Sequence, residues 1–177
     1  MKSLLFIETE RLKLRPLSDS DAPFMYHLMN DPSWLQFIGD RGIRSVDDAK
    51  EYIQFGPMIM YRDRGVGILA AEDKITGETV GTCGLLYRDG RDTPDLGFAF
   101  LAQFRRLGYA KESSEALLSG AKAQLGLSQV DALVSPGNDA STALLNKLGF
   151  RFLQPLPDFD PDKDTHCYRL ILKDLHE

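Results

Sequence analysis

Apolar residues recur along the chain at two spacings, near two and near 3.6 residues. Leu12 and Leu14, then Leu17 past Arg15 and Pro16, alternate with charged neighbours and predict an opening half-buried strand over 9–17. The cluster Ser18-Asp19-Ser20-Asp21 can cap a helix whose apolar side is Phe24, Met25 and Leu28, and which Asn30-Asp31-Pro32 ends. The stretch 32–45 holds Trp34, Phe37, Ile38 and two glycines and reads as loop with short helical turns. Ser45 opens a second helix with Ala49, Tyr52 and Ile53 inward. Strands over 67–73 and 79–87 flank a hairpin turn at Gly77. A polar loop at 88–93 precedes 94–102, an almost unbroken apolar run expected of a strand covered on both faces. Leu117, Leu118, Ala121 and Leu125 share one side of a helix over 110–125, and Gly126 sits where a C-cap glycine belongs. A buried strand at 130–134, a short helix at 139–148 closed by Gly149, and a strand pair at 150–153 and 168–172 complete the chain. The last two strands are joined by a Pro- and Asp-rich loop at 155–165. The order βααβββαβαββ predicts one mixed α/β domain spanning 1–177.

Composition narrows the function classes. Apolar residues make up 43% and charged residues 27% of the 177, enough for a core without disulfides. The net charge of −5 argues against nucleic-acid binding through a uniformly basic surface. It fits a cationic partner such as an amine, or plain solubility. Cys83 and Cys167 form no C-x-x-C, and His27, His166 and His176 are scattered, so neither a disulfide scaffold nor a metal site is expected. The N-terminal apolar run at 4–7 is too short for a signal-peptide core, and no apolar stretch approaches membrane-spanning length. The two cysteines fit a reducing, cytoplasmic setting, and a monomer or a homodimer is expected.

One segment carries chemistry. The apolar strand from Asp95 runs into Arg105-Arg106-Leu107-Gly108-Tyr109-Ala110-Lys111 and then into the long helix. A helix N-terminus gathers unpaired N–H groups and partial positive charge, Gly108 permits close approach, and two arginines add charge-assisted donors. Together they make a cradle for a diphosphate. The alternative is a loop glycine beside two solvated arginines. Neither G-x-x-x-x-G-K-[ST] nor G-x-G-x-x-G occurs, which disfavours a nucleotide-phosphate protein of those kinds.

Arg105-Arg-Leu-Gly-Tyr-Ala110 after a strand resembles the acetyl-CoA diphosphate loop of the GNAT acyltransferases. Asn138-Asp-Ala-Ser141 followed by Lys147-Leu-Gly149-Phe150 resembles the same family's N-x-x-S and KLGF elements. The opening Thr9-Glu-Arg-Leu-Lys-Leu-Arg-Pro-Leu17 resembles one branch, which includes acetyltransferases of ribosomal-protein N-termini. The resemblance spans about residues 9 to 150. It implies the GNAT fold: a mixed, twisted, mostly antiparallel sheet, helices on both faces and central strands splayed to admit acetyl-CoA. It also implies acetyl transfer to a primary amine, either a peptide N-terminus or a small molecule.

On that resemblance the cofactor contacts are Phe98, Phe100, Leu101, Arg105, Arg106, Leu107, Gly108, Tyr109, Ala110, Lys111, Asn138 and Ser141. A backbone N–H along 98–101 receives the developing oxyanion. An amine with a pKa near 8–10 needs a base. Asp95, at the start of the central strand, is the first candidate, against an exposed strand-end carboxylate; Ser141 is the second, against a first-turn serine satisfying local backbone. Asn138 is equally a helix cap. The family's tyrosine acid, four residues before the glycine of its GF pair, is Leu145 here, which leaves thiolate protonation unassigned and keeps open an acyl-CoA-binding module without turnover. Trp34, Phe37, Tyr52 and Tyr87 are candidates to line the acceptor pocket or to fill core, and Asp31, Asp40 and Glu72 to attract an ammonium group. Tyr109, His27 and Cys83 read as packing, surface and core residues.

Overall fold

A computed structural model describes residues 1–174, so His176 lies outside the described residues. Eight strands form one open sheet in the order β1-β2-β3-β4-β5-β6-β8-β7. They are β1 (Ile7–Glu8), β2 (Leu12–Pro16), β3 (Ile68–Asp73), β4 (Thr79–Leu86), β5 (Asp95–Phe100), β6 (Gln129–Val134), β7 (Arg151–Pro155) and β8 (His166–Ile171). Every neighbouring pair is antiparallel except β5 and β6. The helices are α1 (Ala22–Met29), α2 (Pro32–Phe37), α3 (Val46–Phe55), α4 (Pro57–Arg64), α5 (Tyr109–Gly120) and α6 (Asp139–Lys147).

The opening strand is interrupted: Thr9 and Leu12 bond to each other across a tight turn, and β2 begins after it. The expected short helical turns after Pro32 consolidate as α2, capped by the Asp31 carboxylate on the Ser33 amide. Sequence periodicity gave no sign of α4. Its amphipathic pattern is weak, but Pro57 starts it and Gly65, at φ 68°, stops it in the left-handed conformation. The predicted 110–125 helix ends its α-geometry at Gly120, continues as a wider turn over Ala121–Leu125, and is terminated by Gly126 as expected.

Two apolar cores sandwich the sheet. One joins sheet residues such as Leu14, Leu85, Leu96 and Phe100 to Leu117 and Leu118 of α5 and to Leu145 and Leu148 of α6 and its C-terminal end. The other joins Leu17 and Ala70 to Met25, Leu28, Trp34, Ala49 and Ile53 of α1–α3. Cys83 is fully buried in the first core, and burial pushes its thiol pKa up to about 11, so it behaves as a small apolar residue. Among the described residues no helix is long and apolar enough to cross a membrane, and no His/Cys/Asp/Glu group could hold a metal ion.

The pairing of β5 positions the site. On one side it matches β4 at six consecutive residues, from Leu86↔Asp95 to Gly81↔Phe100. On the other it meets β6 at one register point only, Asp95↔Asp131. Beyond that point the two parallel strands part, and Gly97, Phe98 and Ala99 are only half-buried in the middle of the sheet. The almost unbroken apolar run at 94–102 predicts a strand covered on both faces, and Asp95, Leu96 and Phe100 are buried; the open edge toward β6 is the splay that the family resemblance implies.

Candidate active site

Backbone direction follows from three hydrogen bonds. Leu101 donates its amide to the Val80 carbonyl at 3.1 Å, toward β4. The Pro94 carbonyl accepts from Asp131 at 3.0 Å, toward β6, and the Phe100 carbonyl accepts from the Arg105 side chain at 2.9 Å. Strand alternation therefore turns the amides of Leu96, Phe98 and Phe100 toward β6, Leu96 at the register point and Phe98 and Phe100 beyond it, in the opening.

At the wide end of the opening the chain makes a tight corner. Arg106 is the one described non-glycine residue with positive φ, 61°, and Gly108 follows at φ 83° as the N-cap of α5. Among the described residues no acceptor meets the amides of Leu107, Gly108, Tyr109, Ala110 or Lys111; the first helical bond runs from Glu112 to the Gly108 carbonyl. These free donors at the positive end of a twelve-residue helix are the chemistry an anionic diphosphate requires.

Arg105, expected in the cradle, gives its Nε and one Nη to protein acceptors. It bonds the Phe100 carbonyl and the Asp31 carboxylate, the latter at 2.7 Å. Arg106 makes no ion pair among the described residues, and Lys111 pairs with Glu115. A residue that sequence reasoning left without a role, Arg11, fixes the corner. Its guanidinium donates to Glu112 at 2.7 Å and to the Leu107 carbonyl at 2.8 Å, and lies 4.4 Å over the Tyr109 ring. Thr9 also donates to Glu112, and the Tyr109 hydroxyl donates to Asp73 at 3.0 Å. Tyr109 therefore packs, stacked on Phe100 with centroids 6.4 Å apart. Replacing Arg11 with alanine frees the Leu107 carbonyl and is expected to raise the KM for acetyl-CoA about tenfold, with a smaller change in kcat, in steady-state kinetics.

At the narrow end stands Asp95, 2% exposed and bonded by Arg88 at 3.0 and 3.1 Å. That overturns the alternative of an exposed strand-end carboxylate. Burial pushes its pKa up and the neighbouring Asp131 adds to this, while Arg88 and Arg91 hold it back; the net direction is upward. Asp131, fully buried, is gripped by Arg91 at 2.6 Å and by Arg169 at 2.7 and 3.0 Å. Nothing in the sequence pattern marked Arg88, Arg91 or Arg169.

On α6, the Asn138 side chain accepts from the Ser141 amide at 3.3 Å, which makes it the cap. The Ser141 hydroxyl is half-buried with no partner among the described residues. Leu145 is a buried core residue, so no acid takes the tyrosine's place there. Of the acceptor candidates, Trp34 packs in the α1–α3 core with an unpartnered indole N–H and half-buried Tyr52 packs against the same core, while Phe37 is half-buried at the end of α2. Tyr87 is not brought to them: it packs against the α5-side core, with Arg64 over its ring. The three carboxylates expected to attract ammonium are already paired: Asp31 with Arg105, Asp40 with Arg44, and Glu72 with Arg15. His27 is exposed beside an open hollow of about 630 Å³ that includes Phe24, Glu78 and Gln103.

A sheet parted at its centre beside a donor-rich helix end offers a slot and an anion site next to each other, the arrangement that a nucleotide-bearing group-transfer enzyme needs. The sequence model described as "Acetyltransferase (GNAT) domain" matches residues 11–151, and the chain belongs to that family. The chain is 30% identical over 172 residues to the uncharacterised N-acetyltransferase YoaA of Bacillus subtilis (strain 168), covering 93% of this chain and 96% of that one. The crystal structure of an acetyltransferase from Agrobacterium tumefaciens str. C58 superposes with a TM-score of 0.78 at 27% identity, covering 100% of this chain and 97% of that one. RimL, a ribosomal L7/L12 alpha-N-protein acetyltransferase solved with CoA, shares the fold with a TM-score of 0.80 at 16% identity, covering 94% and 97%. The chain is an acetyl-CoA-dependent acetyltransferase.

Proposed function

We propose that the chain transfers the acetyl group to a primary amine by direct attack within the β5–β6 opening. The carrying observation is that opening itself: one register point between the strands, free amides at the helix end and a buried carboxylate beside the root. The Gly108–Lys111 amides and Arg106 would hold the diphosphate, and the opening would take the pantetheine arm. Acetyl-CoA supplies the acyl group as an activated thioester.

The chain's residues supply the rest. The Phe98 and Phe100 amides face the opening, preorganised to stabilise negative charge on a carbonyl oxygen. Asp95, ionised but raised in pKa, takes the proton that the attacking ammonium must lose, directly or through water. The unpartnered Ser141 hydroxyl is the remaining polar group suited to the thiol end.

The acceptor is a protein N-terminus or a small-molecule amine; the likeness to RimL supports the first at the level of fold alone. Incubating the protein with acetyl-CoA and a panel of peptides, polyamines and amino acids, and following free thiol, tests the reading. Acceptor-dependent thiol release supports it. CoA binding without release from any member overturns it.

A further inference from the structure

The loop between β4 and β5 delivers two guanidiniums to two buried carboxylates. It turns tightly: Arg91 donates its amide to the Arg88 carbonyl at 3.1 Å, and Gly90 between them takes φ 73°, the positive value that glycine supplies at the third position of such a turn. The turn thus carries Arg88 and Arg91 together to the root of the opening. Arg88 grips Asp95 with both prongs, Nε to Oδ1 at 3.0 Å and Nη2 to Oδ2 at 3.1 Å. Arg91 donates its Nη2 to Asp131 at 2.6 Å. Arg169, the register partner of Asp131 on β8, donates to the same carboxylate at 2.7 and 3.0 Å.

Asp95 and Asp131 are themselves register partners, so their side chains leave one face of the sheet from neighbouring strands. At 2% and 0% exposure, neither carboxylate is solvated enough to stay charged without such partners. The ion pairs therefore cluster at the one rung that joins β5 to β6. A carboxylate has about four lone-pair sites. The fork of Arg88 occupies one on each oxygen, holds the group in a single plane and leaves the rest free to take a proton. Charge acts on Asp95 from both directions: Arg88 and Arg91 favour its ionised form, and Asp131 opposes it. Further out, Cys167 lies 3.5 Å from Arg91, and the Phe159 ring of the β7–β8 loop 5.9 Å from Arg88. Tyr52 of α3 and Lys163 of the β7–β8 loop feel the charge of Arg88. Asp89 and Asp92 on the turn are exposed and form no ion pair among the described residues.

We propose that Arg88 is the positioning residue for Asp95, fixing the plane of its carboxylate, and that Arg91 and Asp131 adjust its charge in opposite directions. This rests on the reading of Asp95 as the base.

Carbon NMR of protein isotopically labelled at the aspartate carboxyls follows Asp95 directly, its signal assigned by loss in Asp95→Asn. Arg88→Gln is expected to raise the Asp95 midpoint by about one to three pH units. Arg88→Lys, which keeps the charge and loses the fork, should raise it less. Arg91→Gln, which leaves both bonds to Asp95 in place, should raise it, and Asp131→Asn should lower it. Both of these remove a bond to a buried group and lower the melting temperature alike, so packing alone cannot give opposite directions. Arg88→Gln and Arg91→Gln decide the matter even where Asp131→Asn fails to fold. Arg88→Lys should also lower kcat about tenfold at a pH where its Asp95 is ionised, with KM for acetyl-CoA unchanged. Thiol release with the panel amine that the native protein turns over fastest measures this. A midpoint unmoved in Arg88→Gln, or moved the same way in Arg91→Gln and Asp131→Asn, overturns the inference. So does a native kcat in Arg88→Lys where Asp95→Asn is impaired. Undiminished kcat in Asp95→Asn overturns the base reading instead, and the midpoints then decide this inference alone.

Discussion

Replacing Asp95 with asparagine is expected to lower kcat by roughly 10²–10⁴-fold while leaving the KM for acetyl-CoA near that of the native enzyme. The carboxylate stands at the root of the opening, whereas the diphosphate donors stand at its mouth, so cofactor affinity and proton removal separate in space. The pH profile carries the sharper signature. A base must be ionised to act, and burial raises Asp95 above the ordinary aspartate value of 3.8, with Asp131 assisting. Activity should therefore rise with pH through that elevated value, and Asp95→Asn should remove this acidic limb. Because Arg88 bonds both carboxylate oxygens, the variant's thermal unfolding must be measured alongside. A folded variant with undiminished kcat would exclude Asp95 as the base.

Placing glutamate at Gly108 is the second large expectation. The backbone there sits at φ 83°, where a Cβ costs about 1–2 kcal/mol, and that Cβ would lie 3.2 Å from the Arg11 guanidinium. The charge matters more than the crowding, since a carboxylate would compete for the free amides of α5 that the diphosphate needs. CoA affinity by calorimetry should fall by about 100-fold or more, with only a modest drop in the melting temperature of the free protein. Unchanged affinity would place the diphosphate elsewhere.

The strand–glycine–helix corner was legible in the sequence because it is local: the end of β5, Gly108 and the start of α5 follow one another along the chain. Asp95 and Ser141 could be nominated for the same reason, each sitting at a definable end of an element. What escaped depends on contacts far apart in the chain. Arg11 reaches Glu112 across about a hundred positions, and Asp131 collects Arg91 and Arg169 from two other segments. Side chains also have only one set of donors to give. Arg105 read as a phosphate ligand from its position alone, and the structure ties its Nε and one Nη to the Phe100 carbonyl and the Asp31 carboxylate, contacts that its place in the sequence did not announce. α4 was missed because its boundary residues, Pro57 and Gly65, define it better than its weak apolar pattern does.

The single rung between β5 and β6 leaves an interior strand with the protection of a rim on one side. In deuterium uptake, the Phe98 and Phe100 amides should exchange far faster than their neighbours Gly97 and Ala99, which face β4, and should slow once a ligand fills the gap.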